Sequence, residues 1–226
     1  MTDFTGFPKK TLTFLRGLRS NNSKAWFDEH RADYERYWVA PAKDFVEAAG
    51  PALRKIAPIS AEPRVNGSIF RINRDIRFSK DKTRYKDHLD FWFWEGERKT
   101  APSGFYLRIT PDGVGVGAGS HGFDRDRLAA YRAAVVDPKS GPSLNRAVTR
   151  VTKAGHEVEG EQYKTTPRGF EPKNNRQERM LRFSALWVGD EHPRSPTLHS
   201  REFVDWTVDQ WKTMKPIHRW LTDHLG

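Results

Sequence analysis

The chain has 226 residues, a net charge of +10 and no cysteine, so disulfides, thiolate nucleophiles, Cys-ligated zinc and iron–sulfur clusters are all excluded. Aromatic residues make up 12%, with eight Trp among them, too many rings for a disordered chain; they point to a core of large side chains under a charged shell. No apolar run approaches the roughly eighteen residues needed to span a bilayer, and the opening MTDFTGFPKKTLTFL lacks the apolar stretch of a secretory signal, so a cytoplasmic location with no membrane partner is expected.

Phe7, Leu12, Phe14, Leu15 and Leu18 recur at helical spacing after Pro8, and Gly17 with Asn21–Asn22 weakens and ends that helix. Ser23 can cap a second helix with Trp26, Phe27, Tyr34, Tyr37 and Trp38 turned inward. Pro41 breaks it or opens a third, PAKDFVEAAGPALRKIA. The period then changes to two. SIFRI (68–72) and HLDFWFW (88–94) read as strands, and GFYLRIT, the turn PDG and VGVGAG read as a hairpin.

Asp124 caps a helix carrying Leu128, Tyr131, Val135 and Val136, and DPKSGP separates it from SLNRAVTRVTKAG. HEVEGEQYK and SALWVG are further strands, with a short helix near NRQERMLRF. The segment 200–225 reads as a long helix, kinked or divided at Pro216. Helices, then a strand meander, then helices predict one α+β domain over residues 1–226, with an antiparallel sheet of at least four strands packed against N-terminal and C-terminal helices.

The charge is clustered. RINRDIRFSKDKTRYKDH (71–88) holds seven Lys or Arg against three Asp, and 164–182 holds Lys164, Arg168, Lys173, Arg176, Arg179 and Arg182 against Glu171 and Glu178. In an extended segment Ile72, Arg74 and Ile76 share one side. If the Ile residues face the core, Arg74 starts from the buried side and needs a carboxylate or carbonyl partner. Three acids cannot neutralise seven cations, so either water screens the remainder or an external anion binds. Taken alone, a charge run of this kind reads first as a solvated face.

FRINRDIRFSKDKTRYK, together with FLRGLRSNNSKAWFDEHRADYE, GFYLRITPDG…GVGAG and TPRGF, resembles a family of bacterial and fungal proteins catalogued as domain of unknown function 2461. The resemblance spans nearly the whole chain. It brings no activity or cofactor with it, but it implies that the charged run is a family hallmark rather than an incidental face. Arg84 departs from the pattern, which has Pro before the Tyr-Lys pair; the departure leaves the local turn shape open and adds a cation.

A small anionic ligand bearing phosphate or carboxylate is therefore expected at 71–88. Arg71, Arg74, Arg77, Lys80, Lys82 and Lys86 supply charge, Ser79 and Tyr85 supply hydroxyls, and Arg168 of TPRGF is counted with them. Asp75 and Asp81 orient the cations and are the first acid–base candidates if the protein is an enzyme. Asn21 and Asn22 read first as a helix terminus and Trp26 as a core anchor. Two alternatives stand: a nucleic-acid-binding surface formed by 71–88 and 164–182, and a ligand-free ion-pair scaffold.

Weaker signals add little. Gly113, Gly115, Gly117 and Gly119 leave one strand face bare, for close packing or as a floor beside the basic run. GAGSHG (117–122) matches a dinucleotide fingerprint in letters only, since a meander rather than a parallel βαβ unit precedes it. Ser79-x-x-Lys82 is a coincidental match to a nucleophile–base pair. The eight His form no metal-ligand set and read as surface residues, and the rings of HLDFWFW read as core.

Overall fold

A computed structural model describes residues 4–77, 79–193 and 197–226. The elements in order are α1 (Lys9–Ser20), α2 (Lys24–Glu29), α3 (Arg31–Tyr34), a π-helical turn (Glu35–Val39), α4 (Ala40–Arg54), β1 (Ile59–Ser60), β2 (Leu89–Glu95), β3 (Gly104–Ile109) and β4 (Val114–Ser120). There follow α5 (Arg125–Val136), α6 (Ser140–Lys153), β5 (Val158–Glu161), α7 (Asn175–Leu181), β6 (Phe183–His192) and α8 (Glu202–Leu225). The strands form one antiparallel sheet in the order β1-β2-β3-β4-β6-β5, and the fold is α+β. Among the described residues no helix is long and apolar enough to cross a membrane.

Local chemistry accounts for the helix boundaries. Asn21 closes α1 with its backbone N–H and its side-chain amide, both donating to the carbonyl of Gly17. Ser23 caps α2 by accepting the N–H of Trp26. Pro41 has no N–H to return to the carbonyl of Tyr37, and the chain reaches it through the π-helical turn; the freed carbonyl accepts the hydroxyl of buried Thr11 at 2.6 Å. Pro41 thus opens α4 rather than ending a helix. The break expected at Pro216 is absent, because α8 runs through it with Met214, Ile217, His218, Trp220 and Leu221 all buried around that turn. That burial outweighs one lost backbone hydrogen bond.

SIFRI is not a regular strand. Ile69 forms isolated bridges with Val65 and Phe91, while the Phe70 N–H donates to the Asp90 carbonyl and the Trp92 N–H donates to that of Ser68. The segment lies along β2 without a continuous ladder, and Asn66 turns into the left-handed region just before it.

The molecule divides into two compact units. The first comprises residues 1–93, 106–116 and 191–209. Its core is a ring cluster in which Phe7, Phe45, Phe91 and Phe203 pack with centroids 5.1–6.2 Å apart. The second comprises residues 94–105, 117–190 and 210–226. There Phe105 packs on Trp211, while the Tyr131 hydroxyl donates to the Met180 carbonyl. The Trp220 indole N–H donates to the Ser140 carbonyl.

Alternation along β2 sets up the site. Phe91 and Phe93 enter the ring cluster, so Asp90 and Trp92 take the opposite face, as do Tyr106 and Arg108 on β3. Three of the four rings of β2 are core, Phe91 and Phe93 fully buried and Trp94 nearly so, while Trp92 is only half-buried.

The backbone of the neighbouring strand β6 comes close to the glycines of β4. A Cβ at Gly113 would lie 2.4 Å from the His192 carbonyl oxygen, and one at Gly119, whose φ is +128°, would lie 2.4 Å from that of Leu186. Close strand packing explains these glycines. At Gly115 the intruding group is instead the Glu191 carboxylate, at 2.6 Å.

Candidate functional site

The charged run forms an irregular hairpin in the first unit. Asn73 bridges to Tyr85, the Arg74 N–H donates to the Arg84 carbonyl and the Lys86 N–H donates to that of Ile72. Its base is fixed from both sides. Ile72 is buried, and Tyr85 is buried with its ring stacked 4.4 Å from Phe27. Asn22 clamps Tyr85 by two backbone hydrogen bonds of 2.9 Å, so only Asn21 of the pair is a plain helix terminus. Trp26 sits over Gly17, where a Cβ would meet its ring at 2.5 Å, and stacks on His30 beside an open groove rather than anchoring the core.

Most of the predicted cations already have partners. Arg74, starting from the buried side beside Ile72, pairs with Asp81 and Thr83. Arg77 pairs with Asp75 at 2.6 Å, and Lys82 donates to the Ile76 carbonyl at 2.9 Å rather than approaching Ser79. Asp87 pairs at 2.6 Å with Arg19, which also holds Asp112. Arg71, Lys80 and Arg84 are exposed and form no ion pair among the described residues. Ser79 is half-buried and hydrogen-bonds to none of the described residues. Arg168 belongs to the second unit, on an exposed turn before the left-handed Gly169.

Asp75 and Asp81 do orient Arg77 and Arg74. Hydrogen bonds from the Arg77 side chain and backbone hold Asp75 at a pKa of about 2. The Thr83 N–H, then Arg74, hold Asp81 at about 2. Carboxylates so acidic are weak bases near neutral pH.

The dense cluster lies where the hairpin runs into β2. Asp90, 4% exposed, accepts at Oδ1 from the Tyr106 hydroxyl (2.8 Å) and Arg108 Nε (2.7 Å). At Oδ2 it accepts from Lys86 Nζ (3.1 Å), and His88 Nε2 lies 3.2 Å away. Burial pushes this carboxyl up, but hydrogen bonds and charge from His88 and Arg108 prevail and hold it well below the usual carboxylate range. The Tyr106 hydroxyl is pushed far up by burial and then by the Asp90 charge, so it stays a donor. His88 Nδ1 lies 3.1 Å from Asp87, and Lys86 lies 4.9 Å from the centre of the Phe70 ring. Glu191, over Gly115, adds its field to Arg108.

One buried anion thus gathers two permanent cations, an imidazole and a phenol. Their side chains keep an outward edge: Lys86 is 19% exposed, His88 21% and Arg108 39%. Arg has five donors and Lys three, more than Asp90 uses. Of this set the sequence singled out only Lys86. The signal available was an acid in a strand otherwise made of rings, with an Arg and a Tyr two apart on the next strand.

Two expected surface histidines are core residues. His156, 5% exposed, lies between Asp190 Oδ2 and Thr213 Oγ1, each 2.6 Å away. His218 is fully buried between Ser103 and Glu95. Both ring nitrogens of His218 find hydrogen-bond partners, while His156 is hydrogen-bonded at Nε2 alone and its Nδ1 lies close to the Asp190 carboxylate without a hydrogen bond.

Residues 10–220 match the model of a family described as conserved hypothetical protein (DUF2461), and the chain belongs to that family. No curated protein and no solved structure matches the chain.

Proposed function

We propose that this DUF2461 member binds a small anionic ligand, bearing phosphate or carboxylate, at the hairpin base where Lys86, His88 and Arg108 converge on Asp90. The supporting observation is that convergence. Asp90 holds Lys86, His88 and Arg108 in one place before a ligand arrives, with Asp87 beside His88 and the Glu191 charge acting on Arg108 as further acids at the cluster. Lys80 and Arg84, without an ion pair among the described residues, and Arg71, whose charge also acts on Asp75, add positive charge on the same hairpin. No reaction is assigned to the site.

The scaffold reading has its own support in the Arg74–Asp81 and Arg77–Asp75 pairs at the tip. Titration with inorganic phosphate and with AMP, followed by the His88 ring resonances, separates the two readings. Under the anion reading the shifts saturate, Lys86→Gln weakens binding about tenfold or more, roughly one charge-assisted hydrogen bond, and Arg77→Ala leaves it unchanged. Absence of a saturable shift, or wild-type affinity in Lys86→Gln, gives the case to the scaffold.

A further inference from the structure

The second unit carries a cleft of about 230 Å³ between α6 and α8. Arg146 and Arg150 stand one turn apart on α6, both exposed and, among the described residues, without an ion-pair partner. Like charges at this spacing repel. Across the cleft Arg219 is held in place, with Nη2 3.0 Å from Asp223 and Nη1 3.7 Å from Glu95.

Between the cations the surface is partly apolar, with Ser143, Asp223 and His224 also in the lining. Pro216 and Trp220 line it, and Trp220 is 4% exposed, its indole N–H shared between the Ser140 carbonyl (3.0 Å) and Ser143 Oγ (3.1 Å). His224 closes one end with its ring centre 5.1 Å from that of Trp220. The C-terminal end of the α6 dipole gives Arg150 a reason to be there. It gives none for Arg146, well inside the helix, or for a guanidinium trio around a fixed ring.

We infer that this cleft is a second binding site, separate from the hairpin base, for a small molecule carrying a phosphate or carboxylate on a ring-sized apolar body. Arg146 and Arg150 clamp the anion, Arg219 adds charge already oriented by Asp223, and Pro216 with Trp220 takes the body. The cleft is smaller than the ~300–1,000 Å³ of drug-sized sites, so the ligand is a fragment of that class.

The test uses phenyl phosphate, benzoate and phenol, titrated into the full-length protein and read at the Trp220 indole N–H and the Arg146 and Arg150 side-chain resonances. Phenyl phosphate or benzoate should saturate, and phenol should not. Either order of the two anions supports the site, and the tighter one names the natural group. The double variant R146E/R150E, at exposed positions, should weaken binding at least tenfold with an unchanged melting temperature, and Lys86→Gln should bind as the wild type does here. Identical shifts from phenol and the anions, no saturation by either anion, or wild-type affinity in R146E/R150E overturns the inference. Because the hairpin base is read at His88 and through a different variant, either site can fail alone.

Discussion

His218 sits against Phe105 with ring centres 4.5 Å apart, Nδ1 3.0 Å from Ser103 Oγ and Nε2 3.3 Å from Glu95 Oε2. With Nε2 protonated toward Glu95, Nδ1 accepts the serine hydroxyl, the connectivity of an activated nucleophile. Ser103 is 1% exposed, however, so no substrate reaches it and the trio is a core clamp. Burial, then the charges of Arg219 and Lys215, lowers the imidazole to about 4. Glu95 pulls the other way, but it also lies against Arg219, and burial prevails. The unfolded chain has the ordinary value near 6.5. Below that pH the unfolded state takes up a proton that the native state refuses. This contribution is therefore complete above about pH 6.5 and is lost as pH falls toward about 4. Between pH 7 and pH 5 it amounts to at most about 2 kcal/mol of stability, seen as a lower denaturation midpoint and removed in His218→Gln. An NMR titration placing the His218 midpoint near 6.5 would refute the assignment.

At the scale of elements, periodicity located most of the helices and strands because each buries one face, and face burial is what a spacing of 3.6 or 2 records. It failed where a residue's partner lies elsewhere in the chain. SIFRI has strand letters but only bridges β2, and the proline of α8 is tolerated because both flanks are buried. The glycines of β4 were legible as a strip without side chains, but the sequence could not say that the backbone of β6 crowds them. That assignment has a sharp consequence. Gly119→Ala adds a Cβ 2.4 Å from a carbonyl at a positive φ, whereas Gly122 has open space around it and an unstrained backbone. Gly119→Ala should cost more than about 3 kcal/mol, combining overpacking with left-handed strain. Gly122→Ala should stay within about 1 kcal/mol of wild type in either direction. Urea melts of the two variants check this, and a ligand-dependent rather than stability-dependent defect in Gly119→Ala would reopen the reading of β4 as a binding floor.

For the whole molecule, a net charge of +10 creates an attraction for any polyanion, and a linear count of charges cannot separate that field from a built site. The count along 71–88 drew attention to the hairpin but missed the pairing. Asp87 is used by Arg19, 68 residues earlier, and Lys86 is used by Asp90, which no charge run includes. Salt separates field from site. An oligonucleotide held by the general field releases counterions for every phosphate it contacts, so log K falls with log salt at a slope of about −0.7 for each contact of a single strand. Under the proposed reading, a mononucleotide at the hairpin base would make one or two such contacts. Between 0.05 and 0.2 M salt its affinity should fall by roughly ten-fold or less, while that of a twelve-nucleotide strand should fall about a thousandfold or more and show no sequence preference. If the strand instead keeps its affinity at 0.2 M and loses it in Lys86→Gln, the hairpin is part of a nucleic-acid interface, and the small-ligand reading gives way to it.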